Sequence, residues 1–264
     1  MFVKNKFLKP FSYIFIIIFL FTALSGCGFS QVPKKNKLKS NLYYRLGVGF
    51  YRNGNFIKAM QEFIRAKSFN PLSAKDYNAM GMVYMETARE GRAVENFKKA
   101  VRINPKFSDA YYNLAIIYIK KKDYFPAENY LKKALKNPFY NRPYESYDQL
   151  AKIYLAENKL KKAKKVLTVS KLLDKKYFLT YYYIGKYYLI KGAIKGNLNK
   201  SLQYFKKTLN LDMFFLPAMY YEGVIYFKQK KYNKSKKIFS YVYKQNKTNK
   251  YGIKSLGYIK KIAP

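Results

Sequence analysis

Histidine and tryptophan are absent from the 264 residues, cysteine occurs once, and 14 acidic side chains stand against 53 lysines and arginines. Without histidine the chain lacks the commonest general base and the commonest metal ligand. One cysteine cannot close an internal disulfide, form a CxxC redox pair or assemble a thiolate metal site. The acids are scattered, and no two stand at the spacing of a catalytic carboxylate pair or a calcium loop. A phosphate-binding loop is missing too. Gly47 and Gly49 open like a dinucleotide fingerprint, but Arg52 occupies the place of its third glycine. The most apolar stretch, Phe11 to Leu24, falls short of the roughly 18 residues that span a bilayer. These absences predict no catalysis, no metal and no cofactor, so function has to reside in the surface.

What is abundant is aromatic and cationic: 30 tyrosines, 21 phenylalanines and a formal charge of +39. The aromatics are ample material for a large core. The lysine-dominated charge has the profile of an AT-rich genome, and it raises nucleic acid as a question. The export signal described next argues against that partner. The charge is uneven, however. From Gly223 to Pro264 there are lysines and no acid, so this end is either a solvated face or a contact for anionic lipid, polymer or an acidic partner.

Residues 1–26 begin with Lys4, Lys6 and Lys9, continue apolar, and end in small residues, the layout of a secretory signal peptide. Leu24-Ser25-Gly26-Cys27 resembles the lipobox of bacterial lipoproteins, and the sole cysteine stands at the position that receives the lipid. An uncleaved anchor, or an ordinary signal with an incidental cysteine, is the alternative. By resemblance, Cys27 is the lipidated first residue of the mature chain. Several acyl chains at about 0.8 kcal/mol per buried methylene hold almost permanently. Gly28 stands where an aspartate would favour inner-membrane retention, which points to the outer membrane. Residues 27–39 are expected to be the lipidated cysteine and a basic tether, because Gln31 to Lys39 lack any apolar period.

After the tether the chain repeats itself. Gly47, Gly81, Ala115, Ala151, Gly185 and Gly223 recur at near 34-residue spacing, each three residues before an aromatic (Phe50, Tyr84, Tyr118, Tyr154, Tyr188 and Tyr226). A second small residue follows at Ala59, Ala93, Ala127, Ala163 and Ser235, with a large apolar one four further on at Phe63, Phe97, Leu131, Leu167 and Phe239. This is the tetratricopeptide pattern. Apolar residues at i, i+3, i+4 and i+7 give each of two helices a buried stripe, and the small residues allow close approach. The prediction is an all-α, right-handed superhelical solenoid of about six repeats over residues 40–249, with a capping helix over 250–264. Asn53-Gly54-Asn55 and Glu90-Gly91 are expected to turn the chain inside the first two repeats. In the fifth, Lys191 to Asn197 lengthens the turn by about four residues, placing Ser201 and Phe205 at the small and large positions. Glu222 occupies a normally apolar position in the sixth.

In stacked helix pairs the first helices line a concave face. Its predicted partner-binding residues are Tyr44, Val48 and Tyr51; Asn78, Met82 and Met85; Tyr112, Ile116 and Ile119; then Asp148, Lys152 and Leu155; Tyr182, Lys186 and Leu189; and Tyr220, Val224 and Phe227. A trough rich in Tyr, Met and Ile suits a protein partner. Some of these residues would instead pack between repeats if the register slips by one.

The stretch Asn104-Pro105-Lys106-Phe107 to Tyr118, then Ala134 to Pro143, with Tyr147, Leu150, Ala151 and Tyr154, resembles the central region of the type IV pilus biogenesis lipoproteins, pilotins of the PilF, PilW and Tgl kind. Asn137, Pro138, Tyr140 and Pro143 match the Asn-Pro-x-Tyr-x-x-Pro segment that joins the third and fourth repeats there. The resemblance implies a lipoprotein on the inner leaflet of the outer membrane, facing the periplasm, that helps a secretin assemble. A periplasmic scaffold for cell-wall hydrolases or other envelope proteins is the competing expectation.

Overall fold

The computed structural model describes residues 32–192 and 195–262, which form thirteen α-helices and no strand. Twelve pair in chain order: α1 (Lys34–Arg52) with α2 (Phe56–Phe69), α3 (Ala74–Glu86) with α4 (Glu90–Ile103), and α5 (Ser108–Lys120) with α6 (Tyr124–Ala134). Then come α7 (Pro143–Ala156) with α8 (Leu160–Leu173), α9 (Phe178–Lys191) with α10 (Lys195–Leu211), and α11 (Leu216–Lys228) with α12 (Tyr232–Gln245). Helix α13 (Lys250–Ile262) packs on the last pair. Each pair touches mainly its neighbours, as in a solenoid.

The small residue of each first helix meets the large residue of its partner. A methyl group added at Gly81 would lie 2.6 Å from the Phe97 ring, and at Gly47 2.6 Å from Phe63. Gly185 and Gly223 face Phe205 and Phe239 in the same way, at 2.8 and 2.9 Å. Where the small residue is alanine, at Ala115 and Ala151, the large one is Leu131 or Leu167. Glycine goes with phenylalanine and alanine with leucine, so the two positions share one volume. In the last two repeats, serine replaces the second small alanine. Ser201 and Ser235 are buried, and each donates to the carbonyl of the facing glycine, Gly185 or Gly223, at 2.8 and 2.9 Å. The first bond spans 16 residues and the second 12, which is the four-residue insertion seen directly. That insertion is partly helical: α10 runs for 17 residues against 14 for α8 and α12.

Helix pairs are joined by a tight turn whose central residue is left-handed: Gly54, Ala88, Lys122, Asn158 and Lys230, at φ of 55 to 72°. The residue that follows donates its N–H to a carbonyl five back, as Arg89 does to Tyr84 at 2.8 Å, closing the helix end. In the second repeat the turn therefore lies at Ala88, and Glu90-Gly91 are the first residues of α4 rather than the turn.

Two further expectations change. Lys34 to Lys39 are not tether but the first turns of α1, since lysine is a good helix former even where no apolar period marks it. The leader 1–26, Cys27 and Gln31 lie outside the described residues. The register of the sixth repeat is as expected despite Glu222, which is half-buried and held above its ordinary pKa mainly by burial.

Candidate concave binding site

The first helices α1, α3 and α5 enclose a cavity of about 430 Å³ on the concave face. Six predicted residues line it: Tyr44, Val48, Tyr51, Asn78, Met82 and Tyr112. Four polar ones that the repeat register did not single out join them: Arg52, Asp109, Asn113 and Arg142. Asn113 Nδ2 donates to Asn78 Oδ1 at 3.0 Å, tying α5 to α3. The Arg142 guanidinium, at the start of α7, bridges Asp109 at 2.9 Å and Glu145 at 3.2 Å, setting an ion-pair rim beside Tyr112. Tyr51 donates to Glu86 at 3.2 Å, and burial followed by that carboxylate pushes its phenol up to about 12. Burial raises Tyr44 and, further still, Tyr112, so every phenol here stays a neutral donor. Lys75 sits 4.5 Å over the Tyr44 ring. The result is an aromatic and thioether trough edged by fixed polar groups, the make-up of a site that takes an apolar segment and orients it by hydrogen bonds.

Met85 and Ile116 remain half-exposed outside this cavity. Ile119 and Leu155 are a correction: both are buried and belong to the core between repeats. Asp148 is wholly buried and accepts from Thr180 Oγ1 at 2.8 Å, tying α7 to α9 instead of facing a ligand. Burial pushes its carboxyl up to about 7, with the Thr180 and Ser170 hydroxyls opposing. Asp76 plays the matching role between α1 and α3, accepting from Ser40 at 3.3 Å; burial takes it up to about 6.

The far half of the trough is the larger correction, because the chain fills it with itself. Tyr251 and Tyr258 of α13 lie against Tyr220 at 5.4 and 6.2 Å between ring centroids, and Tyr258 meets Phe227 edge-on at 5.0 Å. The Tyr182 and Tyr251 hydroxyls meet at 3.3 Å. Tyr182, Tyr220 and Val224 are thereby buried, while Leu189 and Phe227 are half-buried. Such docking is between distant segments, and no local period announces it. Lys152 and Lys186 stay at the margin of this filled half. Burial lowers both pKa values, and the charge of Lys250 lowers them further, while Lys186 lies 5.5 Å over Tyr221. Among the described residues no cluster of acids, histidines or cysteines could hold a metal, and no helix is long and apolar enough to cross a membrane.

Tetratricopeptide-repeat profiles match residues 77–107, 96–128 and 144–176. No curated protein sequence matches the chain. Among solved structures, PilF of Pseudomonas aeruginosa superimposes with a TM-score of 0.72 at 15% identity, over 85% of this chain and 99% of that one. PilW, a widely conserved type IV pilus biogenesis factor, gives 0.70 at 16% identity over 82% and 98%. The Cut9–Hcn1 hetero-tetramer of the APC/C reaches 0.72 at 12%, over 88% of this chain but 46% of that one. The chain is an all-α tetratricopeptide solenoid, similar in shape to all three and of a fold class that serves protein interaction.

Proposed function

We propose that the chain is a lipid-anchored scaffold that holds a secretin segment and assists the assembly or outer-membrane placement of a type IV pilus secretin. Anchoring is through Cys27, on the inner leaflet of the outer membrane facing the periplasm. The observation that carries this reading is end-to-end correspondence: the match takes in 99% and 98% of PilF and PilW, against 46% of the Cut9–Hcn1 chain. The joining segment supports it. Asn137 Nδ2 donates to the Lys106 carbonyl at 2.9 Å, tying the turn after the third repeat to the turn after the second, and Tyr140 is buried. The open cavity of α1, α3 and α5 supplies the binding trough, and no reaction is involved.

Deletion of the gene, followed by an unheated gel for secretin multimers, tests the reading. Loss of multimers and of pili is expected. Normal multimers with normal piliation would end it, and pull-down partners confined to wall hydrolases or other envelope proteins would put the general envelope scaffold in its place.

A further inference from the structure

Consecutive repeats are joined along one edge of the solenoid by turns of a common build. The carboxylate or amide oxygen of Asn104, Asn137, Asp174, Asp212 and Asn246 accepts from the N–H two residues on, at 2.7 to 3.2 Å. Each bond fixes the backbone of the residue at the tip, so that its side chain projects from the edge. The tips in chain order are Lys106, Phe139, Lys176, Phe214 and Thr248, alternating cation with aromatic until the last. Phe139 is 90% exposed and Phe214 70%, with Met213 beside it at 64%. Leu72, in the corresponding turn after α2, is exposed too.

Aromatics this exposed, held rigidly and interleaved with lysine, fit the boundary between headgroups and acyl chains. Two observations identify the occupant. Helix α1 starts at this same edge, because every first helix begins where an inter-repeat turn ends, so the short segment from Cys27, the anchor in the reading above, joins the described chain here. From Cys27 to Lys34 the chain reaches at most about 25 Å, at ~3.5 Å per residue. The edge also carries the charge such a surface needs: Lys106, Lys136, Lys175 and Lys176 stand in its turns, and its acids Asp109 and Glu145 are paired with Arg142.

The geometry points to the inter-repeat edge as a membrane-facing surface that rests on anionic lipid through Phe139 and Phe214, with Lys106 and Lys176 at the headgroups. This rests on the anchored reading above and adds an orientation to it: the solenoid lies along the bilayer rather than standing off it.

The chain has no tryptophan, so single tryptophans report cleanly. Full-length Phe139→Trp and Phe214→Trp, with Phe125→Trp as the opposite-edge control (80% exposed), would be mixed with vesicles of equal phosphatidylcholine and phosphatidylglycerol. Their emission and their quenching by brominated lipid would be read beside vesicle flotation. The expected result is a blue shift with severalfold stronger quenching at 139 and 214 than at 125. Floating protein with unshifted tryptophans at 139 and 214, or with equal shifts at all three, overturns the orientation while leaving the anchor standing. Protein that neither floats nor shifts overturns both.

Discussion

The pairing of Gly81 with Phe97 and of Ala115 with Leu131 predicts a specific energetic coupling. In Gly81→Ala the new methyl would sit 2.6 Å from Cε1 of a wholly buried ring. Helix propensity alone would favour alanine by about 1 kcal/mol, whereas overpacking costs about 1–3 kcal/mol. A net loss of up to about 2 kcal/mol follows, toward the upper end because the ring is wholly buried and cannot swing clear. Phe97→Leu alone removes apolar volume and leaves a gap beside the glycine, a loss of about 2 kcal/mol. The double variant reproduces the Ala115/Leu131 arrangement, so its loss should be well below the sum, with a coupling of about 2 kcal/mol. Urea titration followed by far-ultraviolet circular dichroism measures all four proteins. At this size 1 kcal/mol also moves the melting temperature by about 2–4 °C. Additivity within about 0.5 kcal/mol, or a Gly81→Ala protein as stable as the parent, would refute the shared-volume account.

Three further expectations follow from the same geometry. At the left-handed turn residues, Ala88→Gly and Lys122→Gly should each stabilise by about 0.5–1 kcal/mol, because a side chain is strained there and glycine is not; an unchanged or lowered melting temperature would argue against it. Asp76 and Asp148 have folded-state pKa values raised to about 6 and 7. Their contribution is therefore complete below the unfolded value near 4 and is lost as pH rises through about 6 to 7. Melting scans between about pH 8 and pH 5 should show stability rising on acidification, and Asp148→Asn should flatten that rise; a slope that the variant leaves untouched would contradict the burial argument. For the trough, Met82→Asp or Tyr112→Ala should weaken partner capture by about tenfold or more. Ile57→Asp, at an exposed position on the opposite edge, should not, and equal losses from all three would remove the cavity from the binding account.

The fold was readable because its signal is local and repeated. A small residue, an aromatic three on and a large apolar residue across the pair recur often enough to set the register, even past Glu222. What escaped was not periodic. The turn at Ala88 carries no turn-forming residue, since five-back hydrogen bonding imposes the left-handed backbone on alanine. Lys34 to Lys39 show no apolar stripe yet continue α1, because propensity rather than burial sustains an exposed helical turn. On the concave face, Tyr44, Met82 and Tyr112 stand where the register put them. Tyr182 and Tyr220 do not remain open, because Tyr251 and Tyr258 reach them from far along the chain. Arg142 went unnoticed for a similar reason: its partner Asp109 is 33 residues away.

Self-occupation by α13 sets a ruler. Three first helices line the open cavity, and at roughly 10 Å from helix to helix they would accommodate an extended segment of about seven residues. A partner bound there would be grasped by a short stretch at the end nearest the chain's entry, and lengthening that stretch would add overhang rather than grip.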